Sequence, residues 1–455
     1  MDQWRDCMFW RNVFYISLVL TLFISFQNIC SFFKSVFFLK NRRELIRTEV
    51  NSDNRLLILI PVLREQERII STIEYFLGII PADANVKIVI CTTNKEEQEE
   101  GLSTQDLVNT FLAQNKNAEV SICNYPYKTG GMAHQLNYTL MKYRRSNLIS
   151  DSDFVCIYNA DSRPHEQTIK WVLEQIEENK SKLVFQQSAV FIKNYLNLDD
   201  YFSKAVSLYQ SFWTLTHEIP RLRRQASNKS IFHSWSNVHC VGHGLFIRFD
   251  VLSSMGLFPV DTLTEDTYLG FKLRCADISV HPVPYIEIGD SPVNIRSALK
   301  QKYVWFWGPM LYPYYLYKYL NEANSVYSKF RSLILASQGI LNAIRWLMVG
   351  PIVILLLVLP WLLNSGVFLC ILSYFSIVLY SSLPILGMQF SIKTLEFASG
   401  QNLGEVREPF YKIPILLIFS LLHSVLHSVP AFFSLACMFR MLFTGRAPAK
   451  PKTDE

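Results

Sequence analysis

Residues 13 to 33, VFYISLVLTLFISFQNICSFF, carry no charged side chain. As a helix this run rises about 32 Å, enough to cross the roughly 30 Å hydrocarbon core of a bilayer. No small-residue cleavage site comes after it, so it reads as a signal anchor rather than a cleaved signal peptide. Lys34, Lys40, Arg42, Arg43 and Arg47 come next, and the positive-inside rule places the chain beyond them in the cytosol. Three more apolar stretches lie at roughly 346–363, 366–388 and 412–438. One span before a cytosolic domain and three after it would put the basic tail GRAPAKPKTDE outside. A further span over 328–345, or a re-entrant C-terminal segment, would remove that conflict. Of the 455 residues, 50% are hydrophobic and 18% charged, a balance that fits part soluble domain and part membrane. The net charge of +6 is too small to argue for nucleic acid. The nine cysteines are scattered, with no CxxC and no zinc-finger spacing, which points to a reducing compartment without a disulfide framework. Asn137-Tyr-Thr and Asn228-Lys-Ser match the glycosylation pattern but carry little weight in a cytosolic domain.

Between these ends the pattern changes. RLLILI (55–60), VKIVIC (86–91), AEVSIC (118–123) and DFVCIY (153–158) read as buried strands, with helical patterns between them at Glu65 to Ile79 and Met132 to Tyr143. Strand–helix alternation predicts an α/β domain with a mainly parallel sheet, whose ligands bind at the carboxyl ends of the strands. Nine of the residues from 303 to 319 are aromatic, and Lys300, Lys302 and Lys318 lie beside or among them, a pattern that suits the membrane–water interface or an aromatic core helix. The chain therefore divides into an anchor and basic linker (1–50), a cytosolic domain (51–296), interfacial aromatic helices (297–330), C-terminal transmembrane helices (331–440) and a basic tail (441–455).

Four segments can carry chemistry. IPVLREQERI (60–69) runs from a strand into acids that would also complement a helix dipole. YKTGGMAHQLNYTL (127–140) sets Lys128 and two glycines before a helix, where the backbone can approach a phosphate; a plain turn explains the glycines equally well. YNADSRP (158–164) ends a strand on Asp161, either a turn residue or a ligand for a cation on a diphosphate, which needs only one or two protein carboxylates. LTEDTYLGFKL (263–273) starts a helix with Glu265 and Asp266 after Thr264, as a cap or as a general base aimed into the crevice.

Taken in order, these segments resemble the family-2 glycosyltransferases, inverting nucleotide-sugar enzymes with a GT-A fold. More narrowly, the chain is similar to the membrane-integrated branch of hyaluronan, chitin and cellulose synthases and ceramide glucosyltransferase. GMAHQLNYTL resembles that family's Gly-Lys-x-x-Ala-Leu-Asn helix, and NAD stands where the metal-binding Asp-x-Asp belongs. VGHGLFIRFDVL (241–252) resembles the acceptor segment with its Arg-rich end, here Arg248; TED (264–266) resembles the base motif; and QKYVW (301–305) has Gln-x-x-Arg-Trp spacing. The resemblance covers about residues 55 to 310. It implies an α/β GT-A-type (Rossmann-like) cytosolic catalytic domain combined with transmembrane and interfacial helices. Pro61, Glu65, Thr93, Lys128, Asn137, Asn159 and Asp161 are then expected to bind the nucleotide sugar, with Asp161 also holding Mg2+ or Mn2+. Asp266 is the expected catalytic base with Glu265 beside it, and Gly242, His243, Gly244, Gln301, Trp305 and Trp307 the expected acceptor residues. The two Trp residues would also serve as interfacial anchors, and His243 as a packed turn histidine. The family's uracil-binding Asp is missing, so Thr92, Thr93 or Asn94 would have to serve. Met132 replaces the motif Lys, Asn159 the first Asp and Val304 the Arg, which bears on donor and acceptor selectivity more than on reaction type.

The expected partners are a nucleotide-sugar donor, UDP-linked by preference, a glycan or lipid acceptor and the lipid bilayer. The expected product is a growing polysaccharide passed through the protein's own spans at a bacterial cytoplasmic membrane. Single-sugar transfer to a polyprenyl phosphate or sphingolipid-like acceptor is the alternative, and a non-catalytic scaffold in glycan assembly is the third.

Overall fold

The four apolar runs become neighbouring parallel strands. β1 (Leu56–Pro61), β2 (Val86–Thr93), β3 (Val120–Tyr125) and β4 (Phe154–Ile157) lie in the order β3-β2-β1-β4. Leu56 to Ile60 are fully buried because helices cover both faces of the sheet, so the run has no polar alternation. β5 (Val184–Val190), β6 (Leu245–Arg248) and β7 (Val280–Ile288) extend the sheet as β4-β6-β5-β7. β6 is antiparallel to both neighbours, and β5 runs parallel to β7. Pro282 and Pro284 lie in β7, the edge strand, where a missing N–H is tolerated. This computed structural model describes residues 2–41, 55–96, 101–116, 118–227, 233–238, 240–322 and 326–444. Arg42, Arg43, Arg47, Asn228 and the tail from 445 lie outside the described residues.

The helices up to the start of the aromatic segment are, in chain order, α1 (Asp2–Lys40), α2 (Ile69–Ile79), α3 (Thr104–Gln114), α4 (Met132–Arg145), α5 (Thr168–Glu178), α6 (Tyr201–Trp213), α7 (Ile219–Ala226), α8 (Phe249–Ser254) and α9 (Glu265–Cys275). The helix expected from Glu65 begins only at Ile69. Arg64 adopts a left-handed φ of +65°. Its N–H donates to Glu96 Oε1 (2.7 Å), and the Thr104 N–H donates to Glu96 Oε2 (2.8 Å). One buried carboxylate thus pins residues 62–68 as a loop against the start of α3.

The aromatic segment forms two helices, α10 (Ile295–Met310) and α11 (Tyr312–Glu322), broken at Leu311. α12 (Val326–Leu362) and α13 (Val367–Ser399) are long, whereas α14 (Ile413–Leu426) and α15 (Val429–Thr444) are two pieces of one apolar segment. Pro430 marks that interruption, since it has no N–H for the preceding turn. Residues 328–345 make no separate span; they are continuous with 346–362 in α12. Four segments among the described residues are long and apolar enough to cross a membrane: Met8–Lys40, Ser328–Leu362, Val367–Ser399 and Phe410–Met441. The sheet and the spans share a core, in which Phe32 and Leu39 of α1 and Ile392 and Leu395 of α13 pack with Ile286 and Ile288 of β7.

Candidate active site

Sheet topology alone brings YNADSRP to the carboxyl edge of β4. Residues 159–162 close a turn, with Ser162 N–H donating to Asn159 O (3.2 Å) and Asn159 N–H donating to Ser162 Oγ (3.1 Å). Asp161 lies in this turn and is partly buried. The Arg163 side chain turns away to Ser71 and Thr72 of α2. Its backbone N–H donates to Glu287 Oε1 (3.1 Å), a carboxylate on β7. Glu287 Oε2 lies 3.0 Å from His243 Nδ1. Burial pulls His243 down, but the Glu287 carboxylate outweighs it and holds the imidazole up at about 9, with Glu218 and Asp161 adding in the same sense. Burial in turn pushes Glu287 up, and His243 together with the Ser162 and Arg163 hydrogen bonds brings it below its ordinary value. His243 is therefore a cation at neutral pH, tied through one carboxylate to the turn that carries Asp161.

The loop 241–244 is built by two buried glutamines of β5. Val241 N–H donates to Gln186 Oε1 (2.9 Å), Gln186 Nε2 donates to His243 O (2.8 Å), and Gln187 N–H donates to Gly244 O (2.8 Å). Gly244 has φ +64°, and a Cβ there would come within 2.8 Å of Gln187 Cβ, so only glycine fits. Gly242 sits between two elements of the site. A Cβ placed on it would lie 3.6 Å from Met132 Cε at the start of α4 and 3.7 Å from Asp266 Oδ2. Those are ordinary contacts, so Gly242→Ala is expected to be tolerated. Gly242→Val would fill the space before Asp266, and turnover is expected to fall by roughly 10²-fold, the scale of an ångström of misplacement, with an unchanged melting temperature. Equal turnover in the two variants would show that this space is not used.

Asp266 lies in the first turn of α9, where its Oδ1 accepts from its neighbour Thr267 N–H (2.7 Å). Thr264 occupies the cap position without capping; its hydroxyl instead lies 3.1 Å from Tyr315 OH. A Cβ on Gly308 of α10 would come within 2.9 Å of Thr267 Oγ1 and 3.4 Å of Thr264 Oγ1, so α10 rests directly on this helix start. The expected acceptor residues of α10 separate. Gln301 Oε1 accepts from Gln210 Nε2 of α6 (2.6 Å). Trp305 is 38% exposed and lies 6.0 Å from the Phe191 ring. Trp307, 2% exposed, packs with Phe306, Met310, Ala343 and Ala431. Of these two tryptophans only Trp305 is exposed.

Thr92, Thr93, Asn94, Glu96, Gly101, Ser103, Gln105 and Asp106 line a cavity of about 290 Å³ at the carboxyl end of β2. Thr92 Oγ1 donates to Asn124 Oδ1 (3.0 Å), and Asn124 Nδ2 donates to Asn94 Oδ1. Pro61 ends the adjacent β1 opposite Cys91. Thr93 Oγ1 donates to Tyr127 O (3.4 Å), next to the exposed Lys128. The Glu65 N–H donates to Thr104 Oγ1 (3.2 Å). Asn137 binds Phe258 through both backbone groups (2.8 and 3.0 Å), so its amide holds the loop leading to Thr-Glu-Asp. Arg248 lies opposite Phe154, at the far end of the sheet from the crevice, and pairs with Asp250. Among the described residues no three His, Cys, Asp or Glu side chains converge as a metal cage.

The family model for glycosyl transferase family group 2 matches residues 154–385. The chain belongs to that family. This glycosyltransferase matches no curated protein. Among solved structures it is similar to mannosyltransferase PcManGT from Pyrobaculum calidifontis in complex with GDP-Man and Mn2+, at 12% identity, 90% of this chain, 99% of that chain and a TM-score of 0.47. TarS 1-349 of S. aureus is similar at 11% identity, 87% of this chain, 93% of that chain and a TM-score of 0.40. Glucosyl-3-phosphoglycerate synthase from Mycobacterium tuberculosis in complex with Mg2+ and UDP is 14% identical over 55% of this chain and 76% of that chain, at a TM-score of 0.33.

Two carboxylates of the glycosyltransferase escape a reading of its motifs. Glu287 lies at the end of VHPVPYIEI, whose prolines mask a strand. Glu218 ends a π-helical turn, Thr214–Glu218, between α6 and α7. Burial raises Glu218 to about 7 against a Ser188 hydrogen bond, His243 and Arg221. A π-turn inserts one residue into the helical ladder and is common at functional sites, which is the one local signal for Glu218.

Proposed function

We propose that the protein is an inverting glycosyltransferase of the membrane, moving a sugar from a nucleotide-diphosphate sugar, UDP-linked by preference, to an acceptor presented at the membrane face. The observation that carries this is loop 241–244. Its Gly242 faces Asp266, and its His243 is tied through Glu287 to the turn of Asp161. Asp266 would take the proton of the acceptor hydroxyl as that oxygen attacks the anomeric carbon from the face opposite the leaving diphosphate. Direct displacement with one base gives inversion. Asp161 fits as the protein's one anionic ligand to Mg2+ or Mn2+, with Asn159 as a neutral neighbour, because a diphosphate supplies most of the other oxygens. When bound, that ion would neutralise charge on the leaving group. The His243 cation adds to the same field from the chain itself.

A growing polysaccharide is one acceptor. The second reading, a single sugar on a membrane lipid, is favoured by Val304, which is buried and offers no charge where related enzymes place Arg. A catalytic domain in the cytosol follows from the cations after the first span. The test uses the full chain in detergent with Mn2+ and a panel of labelled nucleotide sugars, followed by product sizing. Wild type is expected to bind at least one donor, and Asp161→Ala to bind it on the order of 10–100-fold more weakly, the scale of a damaged metal site. Absence of binding and hydrolysis with every donor, or an unchanged Asp161→Ala, would support a scaffold instead.

A further inference from the structure

By composition alone the segment Phe410–Met441 would be a fourth span. Its 32 residues, as one straight helix, measure about 48 Å, and a crossing would carry one end away from the catalytic domain by the roughly 30 Å of the bilayer core. Instead both ends rest on that domain. At the start, Lys412 Nζ lies 3.7 Å from Glu408 Oε2, while Glu408 Oε1 accepts from Tyr195 OH (2.9 Å) and lies 3.4 Å from Lys204 Nζ. At the other end, Ser434 Oγ donates to Tyr303 O of α10 (3.0 Å). Leu435 and Met438 join the apolar cluster of Phe306 and Trp307, which also holds Leu263, the residue before Thr264. Between the ends, Phe419 stacks on Tyr201 (6.0 Å) and His423 packs on Tyr209 (4.5 Å), both of α6. α6 is itself fixed to the sheet, where Ser211 Oγ accepts from the Phe191 N–H just after β5 (2.9 Å).

The segment turns back at His427 and Ser428, both buried. Trp346 Nε1 of α12 donates to His427 O (3.0 Å), and the indole lies flat on the imidazole. Ser428 Oγ enters the ladder of α12, accepting from the Gly350 N–H (2.9 Å) and donating to Trp346 O (2.8 Å), the i and i−4 pair of one turn. A Cβ on Gly350 would come within 2.5 Å of Val425 O, so glycine lets the two backbones meet at this vertex. Irregular backbone at membrane depth is tolerated where protein covers it, as here. α12 and α13 behave differently. α12 leaves the domain near Arg331, 2.9 Å from Asp277, and α13 returns to it at Gly400, which abuts His165. Their far halves join Phe14 and Leu18 of α1 in a cluster that, among the described residues, holds none of the sheet domain. Leu421 and Val425, beside the vertex, reach the edge of that cluster.

We infer that residues 410–441 form a re-entrant hairpin, which enters and leaves the bilayer on the face that carries the catalytic domain and docks its outer face into the acyl chains of that one leaflet. α14 is turned inside out for this role. Ser420, His423 and Ser424 are buried toward protein, while Ile418 and Leu422 are exposed, as are Phe432 and Phe433 of α15. α14 lies directly against α13, where Ser420 Oγ donates to Ser381 O (2.7 Å), so its outward face continues the exposed apolar surface of a span and meets the same lipid. With α1, α12 and α13 as the crossings, the chain ends on the domain's side. The basic residues after Thr444 then lie with the cations after α1, as the positive-inside rule requires.

The test reconstitutes the full chain, with one epitope after Glu455 and another inserted in the turn 363–366, into sealed vesicles of mixed orientation. Vesicles captured through the tail epitope are expected to expose the catalytic domain to added trypsin and to shield the turn epitope. Capture through the turn epitope is expected to leave both domain and tail protected. Tail and turn exposed together would mean that 410–441 crosses, and a turn exposed with the domain would mean that α12 and α13 do not; either result overturns the hairpin. A phospholipid with a photoreactive group next to its glycerol, added to the outer leaflet alone, tests the docking. It is expected to label peptides of 410–441 when the domain is outside and to lose that labelling when the domain is inside, while α12 and α13 are labelled in both cases. Equal labelling of 410–441 from either leaflet would overturn the one-leaflet docking. These readouts are positions, so they stand apart from the glycosyl-transfer reading.

Discussion

Asp266→Asn is expected to lower kcat by roughly 10²–10⁴-fold, the range of general-base catalysis, without changing nucleotide-sugar affinity. Asn preserves the shape of the side chain and can still accept from the Thr267 N–H, which orients Asp266 Oδ1 at 2.7 Å. What it loses is the capacity to take a proton. The side-chain oxygen that faces Gly242 is the one placed toward the site, so the deficit should appear in turnover and not in Kd. Glu265→Gln serves as the control from the same helical turn, and it should retain most of the rate if Glu265 only orients the acceptor. Full activity in Asp266→Asn would sink the base assignment. An inactive Glu265→Gln beside an active Asp266→Asn would exchange the two roles.

The parts of this site that sequence reveals are those built from local pattern. β1 to β4 are legible because buried parallel strands are unbroken apolar runs between turn residues. β5 and β7 are not, since Gln186 and Gln187 interrupt the first and two prolines the second. Gln186 is buried without penalty because the 241–244 loop supplies its side-chain partners, and Gln187 because Tyr158 and Thr168 do, facts of three dimensions. The same holds for the start of α2, which shifts to Ile69 because a carboxylate more than thirty residues away holds the preceding loop. Trp305 and Trp307 are equivalent aromatic letters in sequence. Two positions along a helix turn by about 200°, so one is exposed and the other lies in the core. Asp161 and Asp266 could be named from order and spacing, but the Glu287–His243 link between their segments could not.

That link has the largest expected effect on stability. Glu287→Leu would remove the carboxylate paired directly with the buried His243 and leave the Arg163 N–H without its acceptor. Removing one partner of a buried pair costs about 3–5 kcal/mol, so the variant should melt well below wild type and lose nucleotide binding as the Asp161 turn loosens. Glu287→Gln, which keeps an acceptor for Arg163 but not the charge, should lie between. The pH dependence follows from the two shifts. Glu287 is held below its ordinary value of 4.5, so its contribution is present above 4.5 and disappears as pH falls through its lower folded value. His243 is held at about 9 against an ordinary 6.5, so its contribution is complete below 6.5 and is lost as pH rises toward 9. The melting-temperature gap between wild type and Glu287→Gln should therefore be widest between pH 4.5 and 6.5 and close progressively up to about pH 9. A gap that stays constant across that upper window would mean that His243 carries no charge in the folded protein. The loop would then be held by its hydrogen bonds alone.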